Sequence, residues 1–189
     1  MLNPFARRGN PHALVVGMTG VKMGDSIVQV GCAHGGRAAA IAAKVGLSGR
    51  AAMIVADDAS EARARKGAED AGVLIDIQRA SPPQVPLGAN EFDLGIVDDT
   101  GGLFGSLSAL DAAGMTRELW RVIRPAGRVM LLGSAPPKGL GALVARGESH
   151  PPFVSSESAS QTLQAGGFRS VRTLAEREGL VFVEALKPR

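Results

Sequence analysis

The chain contains no tyrosine, one tryptophan and six phenylalanines, and aromatic residues make up only 4% of it. That poverty argues against the stacking platforms on which single-stranded nucleic acids are bound. A single cysteine, Cys32, excludes an internal disulfide and leaves no cysteine-based metal site. No His/Cys/Asp spacing resembles a metal-ligand set either. Apolar runs fall well short of the roughly 20 residues needed to cross a membrane. The opening MLNPFARRGN is too short and too polar for a secretory signal, so a cytoplasmic location is expected. No internal repeat or long linker interrupts the chain.

The 189 residues are enough for one domain, expected over 1–189, with a core of two or three layers. Hydrophobic residues at 45% and charged residues at 21% are ordinary for a globular chain. The net charge is +3, and 16 of the 21 basic residues are arginines spread along the sequence. Dispersed in this way, they read as a solvated surface and not as a nucleic-acid face.

Against this background the stretch Gly24–Arg37 is the most informative. An apolar run (Ile27, Val28, Val30) enters a turn of Gly31, Cys32, Ala33, His34, Gly35 and Gly36, and the alanine-rich segment Ala38–Val45 leaves it. Strand, small-residue turn and helix form the opening unit of a nucleotide-binding α/β domain. Small residues let a ligand approach the backbone, and free N–H groups at the helix start favour an anionic group.

Strands and helices then alternate. Residues 1–23 form an N-terminal arm, with a short helix expected within 11–23 to cover one sheet edge. Strands are expected at Ile27–Val30, Ala52–Ala56, Val73–Ile77, Phe92–Val97 and Arg128–Leu132. Helices are expected at Gly36–Val45, Ser60–Ala71 with Ser60 as N-cap, and Ala109–Ile123 ended by Arg124-Pro125. Nearly continuous apolar strands imply a parallel sheet covered on both faces. A helix over Ser156–Ala165 precedes strands at Phe168–Leu174 and Leu180–Leu186, whose short link Ala175–Gly179 permits only an antiparallel hairpin.

From about Met23 onward these features resemble the class I S-adenosylmethionine-dependent methyltransferases. Val28–Gly36 is similar to the first motif of that family, and Val55–Ser60 to its acidic strand-end motif. Val85–Asp93 resembles the approach to its fourth strand, Leu119–Arg128 its junction into the fifth, and Ala165–Phe168 its turn into the sixth. By this pattern the chain looks nearest to small-molecule members such as the ubiquinone/menaquinone C-methyltransferases. The resemblance implies a Rossmann-like α/β fold with a seven-stranded mixed sheet, order 3-2-1-4-5-7-6, strand 7 antiparallel, and helices on both faces.

It also implies S-adenosylmethionine as cofactor, with Gly31, Cys32, Ala33 and Gly35 in the loop against its methionine part. Ala33 stands where the family usually has glycine, and Gln29 where it usually has an acid. Asp57 and Asp58 are the candidates for the acid that accepts bonds from both ribose hydroxyls, Asp58 matching better; a carboxylate suits a vicinal diol because each oxygen accepts one bond. The bland alternative is that both acids merely start a helix. Ser81 falls where many relatives place an adenine-contacting aspartate, though a turn residue before Pro82 is an equal reading.

Asp98 and Asp99 close the fourth strand at the edge where open α/β sheets bind ligands. They are candidates to hold the cofactor's ammonium group, bind the acceptor or act as a base, or else are simply solvated. His34 is a further candidate base, with an exposed loop histidine as its plain alternative. A sulfonium already activates its methyl group, so transfer depends on positioning and electrostatics, and a base is needed only where the acceptor must lose a proton.

The expected function is in-line methyl transfer to a small, apolar acceptor. Residues 134–154 are the candidate acceptor loop, lid or homodimer contact, and Leu103, Phe104 and Leu107 are candidate pocket residues. The rival is a binding or assembly module that keeps the fold with weakened cofactor affinity, which Gln29, Ala33 and Ser81 favour. A third reading, a nicotinamide-dependent oxidoreductase, draws on Gly31, Ala33 and Gly36 as a degenerate G-x-G-x-x-G fingerprint. The terminal hairpin and the Arg124–Gly127 junction disfavour it.

Overall fold

Strands with an apolar residue at nearly every position must be covered on both faces, and the computed structural model, which describes residues 11–135 and 156–189, places helices on both. Seven strands form one sheet: β1 (Ser26–Val30), β2 (Arg50–Val55), β3 (Asp76–Arg79), β4 (Phe92–Asp98), β5 (Ile123–Ser134), β6 (Arg169–Arg177) and β7 (Leu180–Leu186). Their order is β3-β2-β1-β4-β5-β7-β6. The first five are parallel, and β7 runs antiparallel to both β5 and β6. The hairpin link is only Glu178-Gly179, with φ of 53° and 72°. Two positive φ values make the I′-like turn whose twist matches the flanking strands.

The helices are α1 (Ala13–Thr19), α2 (Gly35–Val45), α3 (Asp58–Ala71), α4 (Ala109–Val122) and α5 (Ser156–Ala165). Alternation along each strand divides the core. Val28, Val97, Val129 and Leu131 face one side, where Met115 and Leu119 of α4 and Leu163 of α5 cover them. Ile27, Leu94, Ile96, Met130 and Phe182 face the other, under Val15 of α1 and Ile41 and Val45 of α2. The α1 helix therefore lies over the middle of the sheet and not over an edge, with the carbonyls of Thr19 and Gly20 accepting from Arg128 Nη2.

Several boundaries differ from expectation: β6 runs on to Arg177, which shortens the hairpin link, and three others have a clear physical reason. Asp57, and not Ser60, caps α3: its carboxylate accepts from the Ser60 N–H at 2.7 Å while Ser60 closes the reciprocal capping box. The third strand is Asp76–Arg79, so Val73 and Ile75 are packing residues ahead of it, and the charged segment takes the sheet edge. The fifth strand begins at Ile123, directly after α4, because Ile123 pairs with Phe92 before a bulge restores the register at Arg128.

Candidate active site

The carboxyl ends of β1, β2 and β4 meet where the strand order reverses, so the connections on either side diverge and leave a crevice. The turn after β1 forms its floor. Gly31 has φ +83°, and a Cβ there would stand 2.8 Å from the Asp98 carbonyl oxygen and 3.0 Å from Leu103 Cδ2. Only glycine fits both the conformation and the space. Beneath it, buried Gln29 donates its Nε2 to the Gly31 carbonyl at 2.8 Å, while its Oε1 has no partner. Gly35 serves a different purpose: α2 and α3 cross at Gly35 and Gly67, each of which would drive a Cβ into the other helix's backbone. That contact brings Arg63 of α3 to the turn, where its Nε donates to the Cys32 carbonyl at 3.0 Å.

The two acids at the end of β4 part company, as neighbouring strand residues must. Asp98 is buried and its oxygens are taken. Oδ2 accepts from the Ala33 N–H at 3.0 Å; Oδ1 accepts from Arg37 Nη2 at 2.8 Å and from the Thr100 hydroxyl at 2.6 Å. Arg37 is buried as well and also donates to the Thr100 hydroxyl. This ion pair ties the β1 turn, α2 and the loop after β4 into one unit. Asp99 is 2% exposed; its Oδ1 accepts from the Phe104 N–H at 2.5 Å, and its Oδ2 has no partner. Burial, with Asp98 adding to it, pushes the Asp99 carboxyl up to about 6, against the lowering effect of the Phe104 and Gly105 N–H groups.

The pair at the end of β2 also divides. Asp57 faces the crevice, and the N–H and hydroxyl of Ser60 hold its carboxyl below the usual range. Asp58 turns away: its side chain is 85% exposed and paired with Arg79.

Together these elements enclose a cavity of about 430 Å³. Of the residues singled out in the sequence, Gly31, Cys32, Ala33, Asp57 and Asp98 line it, as do Leu103 and Leu107. Gly35, Asp58, Ser81, Asp99 and His34 are not among its walls. Ser81 is exposed and gives its carbonyl to the Gln84 N–H, so Pro82 forms that part of the wall. His34 is an exposed N-cap of α2 whose side chain makes no capping bond. The Cys32 thiol is pushed up to about 11, chiefly by burial, and stays protonated. Phe104 is packed in the core behind the wall.

Ser60 and Arg63 also line the cavity, although the sequence singles out neither as a site residue. Helical spacing from the buried face (Ser60, Ala64, Gly67) puts Arg63 beside that face, which is the signal that marks it. The expected acceptor loop, 134–154, lies outside the described residues apart from Ser134 and Ala135, and so does the arm before residue 11. Among the described residues, no group of three or more His, Cys, Asp or Glu is placed to hold a metal ion, and no helix is long and apolar enough to cross a membrane.

Solved structures share this architecture. A SAM-dependent methyltransferase from Aquifex aeolicus is 20% identical with a TM-score of 0.74, the match covering 93% of this chain and 89% of that one. The S-adenosylmethionine-dependent methyltransferase SibL in its apo form is 18% identical with a TM-score of 0.72, over 95% of this chain and 55% of its own. The [4+2]-cyclase SpnF is 16% identical with a TM-score of 0.70, over 94% and 79%. At these identities the likeness establishes the fold alone. No curated protein matches the chain significantly. The sequence itself matches the methyltransferase domain family over residues 28–131, which span β1 through most of β5 and contain every described wall of the cavity. The chain therefore belongs to the methyltransferase domain family, as a class I enzyme whose cofactor is S-adenosylmethionine.

Proposed function

We propose that the cavity at the β1 turn seats S-adenosylmethionine and that its methyl group passes in line to a small, apolar acceptor. The observation that carries this reading is the division of the acids. Asp57 presents a carboxylate held ionised by Ser60 to the cavity, while Asp98 is fully occupied in holding the turn. The donor set suits the cofactor. Backbone at Gly31–Ala33 accommodates its methionine part, Asp57 its ribose diol, and Leu103, Leu107 and Pro82 give apolar wall for a ring. When bound, the cofactor supplies a methyl group already activated on a sulfonium.

The protein's part is placement. Arg37 and Asp98 hold the turn at fixed distance from the loop after β4, and Leu103 and Leu107 exclude water from one side. No cavity-lining carboxylate other than Asp57 has free oxygens, so an acceptor that needs no deprotonation by the enzyme fits best. Pairing of two copies through residues 134–154 stays a proposal of the same standing, tested by sedimentation.

Calorimetric titration with S-adenosylhomocysteine tests the seat. Asp57→Ser keeps an N-cap oxygen for α3 but removes the carboxylate, and is expected to lose at least tenfold in affinity; Asp58→Ala is expected to bind as the parent does. Equal binding by all three overturns the assignment of Asp57. Inversion at a chiral methyl group, transferred to a panel of small apolar tertiary amines and thioethers, tests the in-line step and the acceptor class together. One observation favours the rival binding module: the Gln29 amide occupies the Gly31 carbonyl. Absence of binding at about millimolar S-adenosylhomocysteine decides for it.

A further inference from the structure

Asp99 has no task in the site as described. It is buried, it does not touch the cavity, and one of its oxygens is unpartnered. A buried carboxylate with an orphaned oxygen is costly, and its place in the fold suggests what the cost supports. Asp98 on one side and Gly101, Gly102 and Leu103 on the other all line the cavity, so Asp99 stands directly behind the wall. Its backbone carbonyl accepts from the Gly102 N–H at 2.9 Å and its carboxylate from the Phe104 N–H, which fixes the wall to it.

We propose that Asp99 is the counter-charge by which this cavity prefers the sulfonium cofactor over its demethylated product. The proposal rests on the cofactor seat assigned above. S-adenosylmethionine carries one more positive charge than S-adenosylhomocysteine, and the two are otherwise the same ligand to this wall. The nearer acid, Asp98, is neutralised by Arg37. Asp99 has no cationic partner among the described residues, and of the charged groups near it only Asp98 of β4 acts on it appreciably. From β5 it meets the Leu132 carbonyl, which accepts its N–H, and from the turn over Phe104–Ser106 it meets backbone and apolar groups. Because Asp99 is itself buried behind the wall, its charge acts on a nearby cation with less screening than a surface carboxylate would. The elevated carboxyl of Asp99 makes the effect adjustable, since the cation favours its ionised form and the neutral product does not.

Calorimetry with both ligands between pH 5 and 7.5 reads this directly. The preference of the wild-type protein for S-adenosylmethionine over S-adenosylhomocysteine is expected to rise about fivefold across that range, as follows from a one-unit fall of the Asp99 carboxyl, from about 6, on binding the sulfonium. In Asp99→Asn the preference is expected to stay at its low-pH value throughout. His12 and His34, near the start of α2, remain in that variant, so a pH dependence carried by them would survive there and would overturn the proposal. Should the variant not fold, titrations of the wild-type protein near pH 6 in buffers of different ionisation enthalpy suffice. Protons must be released on binding the sulfonium ligand and not on binding the product. A preference that does not change with pH while both ligands bind refutes the role of Asp99. Failure of Asp57→Ser to weaken either ligand refutes the seat instead.

Discussion

Replacing Asp99 by asparagine should make the unliganded protein more stable at neutral pH, and the gain should vanish in acid. The folded-state carboxyl lies at about 6 against an ordinary value of 3.8. That shift of about 2 units corresponds to about 3 kcal/mol, at roughly 1.4 kcal/mol per unit. The residue is almost wholly buried, so no discount for solvent screening applies. Well below pH 3.8 both folded and unfolded chains hold the proton and Asp99 costs nothing. Between the two values the folded state keeps a proton that the unfolded state has released, so stability falls as pH rises. Above about 6 the full penalty is present.

Asparagine retains the oxygen that accepts from Phe104 and cannot ionise. The difference in unfolding free energy, variant minus wild type, should therefore grow by about 3 kcal/mol between about pH 3 and about pH 7.5. Urea unfolding at matched pH values measures it, with Trp120, the sole tryptophan, packed edge-on against Phe168 at 5.2 Å as a reporter of the fold. Taking the difference removes every other acid that titrates in this range. A gap that stays constant with pH, or narrows, would show that the burial of Asp99 does not disfavour its charge.

Three further outcomes follow from the same geometry. Lys187, buried where its Nζ donates to the carbonyls of Trp120 and Ile123 and to Asn90 Oδ1, closes the C-terminus onto α4; Lys187→Met should cost about 3 kcal/mol in urea unfolding by leaving those carbonyls unpaired. Arg37→Met strands the buried Asp98 charge and should destabilise by about 3–5 kcal/mol, with part recovered in Arg37→Met/Asp98→Asn, as melting of the four proteins would report. Ala33→Gly removes a methyl group from the cavity wall and should tighten S-adenosylhomocysteine in calorimetry, whereas unchanged or weaker binding would mean that Ala33 does not crowd the ligand.

What could be read from the chain alone divides along physical lines. Periodicity and turn chemistry are local, so β7 at Leu180–Leu186 and α5 at Ser156–Ala165 have the bounds that their apolar patterns predict. Tertiary contacts are not local. Gly35 looks like part of a ligand loop, and only the crossing of α2 on α3 reveals that it is small because Gly67 lies against it. Asp57 and Asp58 are indistinguishable as letters. The reciprocal bond with Ser60 starts α3 at Asp58, turns Asp57 toward the crevice and leaves Asp58 to Arg79.

The pair at Asp98 and Asp99 is the sharpest case. A strand's two-residue period requires their side chains to leave on opposite faces, and so to have different neighbours. It does not say which of them meets Arg37. That depends on α2 delivering an arginine of its first turn to the same face as Asp98, while the turn over Phe104–Ser106 closes over Asp99 with backbone N–H groups. One carboxylate thus becomes a neutralised brace for the cofactor turn. The other is left charged at a cost, one residue away, with a cationic ligand as the partner that would repay it.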